Sequence, residues 1–191
     1  MNRKEQIEII FNDVKRFRPL NYEDERGYFS EIYRKDLFEE LKIGHNYIQD
    51  NYSYSKNINT VRGLHFQLSP KPQKKIIKVI SGKIWDVFID LREHSPNFKE
   101  YSYIEHGVDD GWLYIPDGYA HGFCTLEDNT ILIYKVDNYY YPELDSGINY
   151  LDPDFNISWP TNNNEIIISE KDRGLPFFEE VKEQISFSYE S

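Results

Sequence analysis

A chain of 191 residues, 39% of them apolar and 29% charged, has the length of one domain with a proper core and the polarity of an ordered, soluble protein. Its net charge of −11 argues against general nucleic-acid binding, which needs basic surface to neutralise phosphate. A local cluster such as Arg26, Arg62 and Lys75 is still compatible with a small anionic ligand. The single cysteine, Cys124, excludes an intramolecular disulfide and lies in an apolar run, as a buried inert thiol would. The opening Met1-Asn2-Arg3-Lys4-Glu5 has no signal-peptide core and no run approaches membrane-spanning length, so the expectation is a cytoplasmic protein without a membrane partner.

The segment from Arg26 to Tyr33 reads as a strand after a turn, and Leu37, Phe38 and Leu41 have the spacing of a short helix. Tyr47 to Ser53 is weakly strand-like. Val61 to Gln67 is the next strand, followed by a two-proline loop from Leu68 to Gln73. Lys75 to Ile80 and Ile84 to Leu91 are β-rich, and Ser81-Gly82-Lys83 between them predicts a tight hairpin. Tyr101 to Ile104 and Trp112 to Ile115 are short strands, the latter ending at the turn Pro116-Asp117-Gly118. His121 to Leu126 and Thr130 to Val136 predict a second hairpin around Glu127-Asp128-Asn129. The remainder is loop-rich, including Asn162-Asn163-Asn164, with a short helix from about Pro176 to Glu183. Many short strands with little helix predict an all-β jelly-roll barrel, in one domain over residues 1–191.

Alternate residues of a strand share a face. Lys75 therefore shares its face with Ile77 and Val79 and is expected to point inward at the barrel mouth. His65 shares its face with Gly63 and Gln67, and regular geometry sends Arg62 to the opposite side unless Gly63 hosts a bulge. A lone strand histidine is commonly structural, but a lysine on a neighbouring apolar strand is harder to explain as packing. Together an imidazole and an ammonium can remove a proton from carbon and hold the resulting oxyanion. Tyr139-Tyr140-Tyr141 before Pro142 offers a phenol as acid, while Asp172 in Ser169-Glu170-Lys171-Asp172-Arg173 is, alone, an ordinary polar residue. A jelly-roll metal site needs two histidines one residue apart. Gln67 stands two after His65, and His45, His94, His106 and His121 form no such pair, so no metal is expected. No glycine-rich phosphate loop, nucleophile elbow or dinucleotide fingerprint occurs.

Several segments, in order, resemble the dTDP-4-dehydrorhamnose 3,5-epimerase family from about Phe17 to about Pro176. They are Asp24-Glu25-Arg26-Gly27-Tyr28-Phe29, Gln49-Asp50-Asn51-Tyr52-Ser53, Arg62-Gly63-Leu64-His65-Phe66-Gln67, Gln73-Lys74-Lys75, Ser81 to Val87, Asp90-Leu91-Arg92 with Ser95-Pro96, Pro116 to Phe123, Tyr140-Tyr141-Pro142 and Ile157-Ser158-Trp159-Pro160. The resemblance implies a cupin-like jelly roll with a few short peripheral helices, a homodimer and a metal-free site needing no cofactor. It also implies a nucleotide-linked 4-keto-6-deoxy hexose as substrate, inverted at C3, C5 or both. Position by position, it implies His65 as base, Asp172 as its orienting carboxylate, Lys75 as enolate stabiliser and Tyr140 as acid. Arg26, Phe29, Glu31, Gln49, Asn51 and Arg62 match positions that contact nucleotide or diphosphate, some across the dimer, and His121 matches a histidine near the sugar. Phe66 replaces a usual tyrosine, Lys74 a common glycine, and Asn57-Ile58-Asn59-Thr60 is untypical. The alternatives are a single-carbon epimerase on another nucleotide sugar, a non-catalytic sugar-binding jelly roll and a metal-dependent cupin.

Overall fold

The strands between residues 49 and 147 alternate apolar residues toward one face, and two sheets packed face to face bury those faces. The computed structural model describes residues 7–44, 46–161 and 165–189, so His45 and Asn162-Asn163-Asn164 lie outside the described residues. The strands are β1 (Ile7–Phe11), β2 (Val14–Phe17), β3 (Asn21–Asp24), β4 (Gly27–Ser30), β5 (Gln49–Ser55), β6 (Val61–Gln67), β7 (Lys75–Ser81), β8 (Lys83–Asp90), β9 (Tyr101–Gly107), β10 (Trp112–Ile115), β11 (Tyr119–Thr125), β12 (Thr130–Val136) and β13 (Asp145–Gly147). The short helices are α1 (Lys35–Glu40), α2 (Glu170–Arg173) and α3 (Phe178–Val181). One sheet runs β1-β2-β10-β7-β12-β5 and the other β13-β6-β11-β8-β9, while β3 and β4 form a separate hairpin. This is the expected jelly roll.

Neither predicted hairpin forms. Ser81 pairs with Ile131 in the six-stranded sheet, whereas Lys83 pairs with Gly107 in the five-stranded one. Gly82, at φ +78°, therefore turns a corner between sheets. Glu127-Asp128-Asn129 likewise carries the chain from β11 in one sheet to β12 in the other. From β5 to β13 only β8 and β9 follow one another within a sheet. Local turn chemistry reports that the chain reverses, but not whether it returns beside the same strand or across the core. The Arg26–Tyr33 strand is also shorter than expected. Arg26 lies in the turn, and β4 ends before Glu31.

Three apolar clusters follow from this arrangement. Between the sheets lie Ile77, Val79, Leu113, Ile115 and Leu132 from one side and Ile84, Phe88, Tyr119 and Phe123 from the other. Outside the six-stranded sheet, Leu41, Ile43 and Phe38 of the α1 region cover Phe17, Ile76 and Trp112. The edge-on contact of Phe38 with Phe17, at 5.4 Å, fixes the helix there. Outside the five-stranded sheet, Leu64, Phe66, Trp85 and Val87 are covered by the C-terminal segment through Ile148, Phe155, Phe178, Val181 and Phe187. Cys124 is fully buried in that layer, and burial pushes its thiol up to about 11, as an inert thiol requires.

The feature that positions the site is a bulge in β6. His121 pairs with His65, but Phe123 pairs with Arg62, so Gly63 and Leu64 together face Gly122 alone. Gly63 has φ +121°, and a Cβ there would meet Gly122 Cα at 2.6 Å and the His121 carbonyl oxygen at 2.8 Å. The extra residue switches side-chain parity, so Arg62 and His65 both face the interior while Val61, Leu64 and Phe66 face the outer cluster. Gly63→Ala is expected to lower stability by about 2–3 kcal/mol, roughly 4–12 °C in Tm for a domain of this size. A melt within 2 °C of wild type would show that the bulge tolerates a side chain.

Candidate active site

Between the sheets lies a cavity of about 310 Å³, at the small end for a ligand pocket, lined from both sides. The five-stranded sheet contributes Arg62, His65, His121 and Phe123. The six-stranded sheet contributes Ser53, Lys75, Ile77, Leu132 and Tyr134, and α2 with its cap contributes Ser169, Lys171 and Asp172. Of the expected site residues, the structure thus brings together His65, Lys75, Arg62, His121 and Asp172.

Asp172 reaches His65 because Ser169 caps α2. The Ser169 hydroxyl accepts the Asp172 amide at 3.1 Å, which turns the buried carboxylate toward β6. One carboxylate oxygen accepts from His65 Nε2 at 2.9 Å, and the other from the Gly63 amide at 3.1 Å. Burial alone opposes ionisation of Asp172, but hydrogen bonds from His65, Gly63 and Ser169 and the charge of His65 outweigh it and hold the carboxyl below its ordinary value. With the carboxylate accepting, Nε2 of the neutral ring carries the proton and Nδ1 the lone pair. His121 repeats the pattern, its Nε2 lying 2.9 Å and 3.0 Å from the oxygens of the fully buried Asp86.

Lys75 projects inward as its parity predicts. Its ammonium makes one long bond, 3.4 Å to the His65 carbonyl. Burial drives its pKa down to about 8, opposed by the charges of Asp145 and Asp86. Arg62 spans from β6 to β5, where Nε donates to the Ser55 hydroxyl at 3.1 Å and a terminal nitrogen to the Tyr54 carbonyl at 2.9 Å.

The other expected residues lie outside the cavity lining. Tyr140 follows the end of β12, is half exposed, and donates its hydroxyl to Asp145 at 3.1 Å. Asp145 also pairs with the cavity residue Lys171. The Tyr140 amide donates to Gln49, whose side chain donates to Asn51, so these three form one rim cluster. Arg26 is exposed and bound to Asp24, and Phe29 is exposed on the β3–β4 hairpin, with Glu31 just beyond it. Tyr134 is the lining phenol that the expectations missed. Burial raises its pKa, as does Asp145, while Arg62 lowers it. Its hydroxyl has no protein partner among the described residues. Parity could have found it, since Tyr134 alternates with the buried Leu132 and Val136. Likewise Ser169-x-x-Asp172 has the spacing of a helix cap. No group of three or more histidine, cysteine or acidic side chains among the described residues is arranged to hold a metal ion.

The depressed Asp172 contributes stability that is present above the ordinary carboxylate pKa, near 4, and is lost as pH falls through its lower folded value. The difference in urea midpoint between wild type and Asp172→Asn is therefore expected to shrink steadily from pH 5 to pH 2. A difference independent of pH would show that the ionised carboxylate contributes nothing to folding.

Comparison with known proteins places this geometry in a lineage. The family model for dTDP-4-dehydrorhamnose 3,5-epimerase matches residues 8–180. A dTDP-4-dehydrorhamnose 3,5-epimerase of Sinorhizobium fredii is 40% identical over 93% of this chain and 90% of its own length. The crystal structure of dTDP-4-dehydrorhamnose 3,5-epimerase from Bacillus anthracis, with TDP and PPi bound, superposes with a TM-score of 0.84 at 44% identity, over 90% of this chain and 99% of that one. A dTDP-6-deoxy-D-glucose-3,5-epimerase from Legionella pneumophila, in complex with dTDP-4-keto-L-rhamnose, gives 0.87 at 33% identity, over 97% and 100%. The cavity, its base-like histidine and its capped carboxylate therefore sit in a chain that belongs to the dTDP-4-dehydrorhamnose 3,5-epimerase family.

Proposed function

We propose that this protein inverts C3 and C5 of a nucleotide-linked 4-keto-6-deoxy hexose, of the dTDP-4-dehydro-6-deoxyglucose type, and that residues 1–191 act as one unit. The observation that carries this reading is that an imidazole and a phenol line one cavity from opposite sheets. His65 stands on β6 and Tyr134 on β12. A hexose held between the sheets meets a base on one face and an acid on the other, the minimum for inversion through an enolate.

The C4 ketone acidifies the protons on C3 and C5. His65 Nδ1 takes one, and Asp172 favours the imidazolium that forms. Negative charge develops on the C4 oxygen, where the buried Lys75 ammonium stabilises it in surroundings of low dielectric. Tyr134 then delivers its proton to the opposite face, His65 and Tyr134 recover their starting states by exchange with solvent, and the second carbon follows. The acid's role thus passes from Tyr140 to Tyr134, because the Tyr140 hydroxyl is committed to Asp145 at the rim. Tyr140 joins Gln49 and Asn51 on the nucleotide side, and Arg62 holds the diphosphate. His121, held by Asp86, contacts the sugar. Arg26, Phe29 and Glu31 act in a homodimer, presented by the exposed hairpin to the partner's cavity. A sedimentation mass of a single 22.9 kDa chain would refute that assembly.

The deciding experiment incubates the protein with dTDP-4-keto-6-deoxyglucose in heavy water and follows both carbons by NMR. Deuterium is expected at C3 and C5 with inversion at both; entry at one carbon only would make this a single-carbon epimerase, and no entry at all would leave a binding protein. His65→Ala is expected to slow deuterium entry by at least ~10²-fold, and Tyr134→Phe to retain exchange while slowing inversion by ~10²–10⁴-fold. Normal inversion in Tyr134→Phe would remove that residue from the mechanism. Lys75 works as the ammonium, which persists below its lowered pKa, so kcat/KM is expected to fall above about pH 8. A profile flat to pH 10 would exclude Lys75 as the stabilising charge.

A further inference from the structure

The cavity contains a hydroxyl that these steps leave unused. Ser53 lines it, and its Oγ is buried with no protein partner among the described residues. A buried hydroxyl that the protein itself does not pair is a net loss to stability, so packing does not explain a serine there. The rest of the wall is committed, only donates or serves the proton transfers (the Tyr134 hydroxyl and His65 Nδ1), apart from His121 Nδ1. Arg62, Lys75 and Lys171 are donors without acceptor capacity. Both Asp172 oxygens are engaged, Ser169 Oγ accepts the Asp172 amide, and His121 Nε2 lies against Asp86. A sugar hydroxyl both accepts and donates, and beside these cations its own proton needs an acceptor.

We propose that Ser53 is a specificity residue that hydrogen-bonds the C2 hydroxyl of the hexose. This rests on the epimerase reading above. C3 and C5 are taken by His65 and Tyr134, and the C4 oxygen by Lys75. C1 carries the diphosphate, held by Arg62, which is tied to Ser55 two residues from Ser53 on the same strand face. Ser53 therefore stands at the C1–C2 end of the ring. In the sheet, Ser53 pairs with Leu132 and Asn51 with Tyr134, so the serine is one row from the acid.

Calorimetry with three unreactive ligands tests this: dTDP, dTDP-6-deoxyglucose and its 2-deoxy counterpart. Wild type is expected to prefer the 2-hydroxyl ligand by about 5–10-fold. Ser53→Ala should bind both sugars alike, leave dTDP affinity unchanged, and melt at or a few degrees above the wild-type temperature. Ser53→Thr, which keeps a hydroxyl, should restore the preference; should the alanine variant fail to fold, Ser53→Cys takes its place. A preference that survives Ser53→Ala overturns the proposal, as does equal weakening of all three ligands or a wild type indifferent to the 2-hydroxyl. A wild type that binds none of the three refutes the epimerase reading itself, whereas a wild type that binds the sugars with Ser53 silent refutes only the role of the serine.

Discussion

The site depends on how one carboxylate answers one irregularity in a strand. The bulge at Gly63-Leu64 takes the Gly63 amide out of the β6–β11 ladder, and a buried amide without a partner costs about 1–3 kcal/mol. Asp172 supplies that partner with one oxygen and orients His65 with the other. The group that repairs the backbone is therefore the group that orients the imidazole. Neither part is stable alone. Without the bulge, Arg62 would face the outer apolar layer with Leu64 and Phe66, and Val61 would turn inward. Without Asp172, both the Gly63 amide and the imidazole would lose their partner.

The alternation of the chain between sheets converts this local device into a two-sided site. Because β6 and β7 lie in different sheets, the ten residues from His65 to Lys75 carry the chain across the core, and the ammonium faces the carbonyl of the histidine rather than lying beside it. The same crossing between β11 and β12 puts His121 and Tyr134 on opposing walls. Two hairpins would have placed these groups on one surface, where a single face of a sugar could be reached. Low dielectric between the sheets strengthens any interaction of the Lys75 ammonium with negative charge beside it, and the same burial lowers its pKa toward neutrality.

Much of this was legible in the residues. Strand positions in the centre, the short α1 and the inward lysine follow from periodicity, because apolar alternation directly encodes which face is buried. Gly63 was visible as the place where parity could break, but a glycine does not reveal which neighbour it must approach; here that neighbour is Gly122. The two corners read as hairpins because turn residues specify a reversal and say nothing about the sheet that receives it. β1, β2 and the three-residue β13 were not anticipated: β13 gains its order from pairing with Gln67, Phe66 and His65 rather than from its own sequence. Tyr140 stands out in the sequence through its position before a proline, whereas the parity of Tyr134 within β12 is what places a phenol in the cavity lining. Asp172 lies 107 residues from His65, and no spacing rule spans that distance.

The polar groups around the cavity divide into two kinds. Those that orient are saturated: Asp172 holds His65 and Gly63, Asp86 holds His121, Ser55 holds Arg62, and Gln67 accepts the Tyr141 amide at 2.9 Å while donating to the Tyr139 carbonyl at 3.1 Å. Those available to a ligand are poorly paired: the Tyr134 hydroxyl has no protein partner among the described residues, Ser53 has none, and Lys75 has one long bond. Native proteins seldom leave buried polar atoms in this state, since each lowers a folding free energy of only about 5–15 kcal/mol. One such atom, Ser53 Oγ, beside an unpaired Tyr134 hydroxyl and a weakly paired Lys75 ammonium, is what a site needs if its own bonds are to be completed by the substrate and to strengthen as charge develops on it.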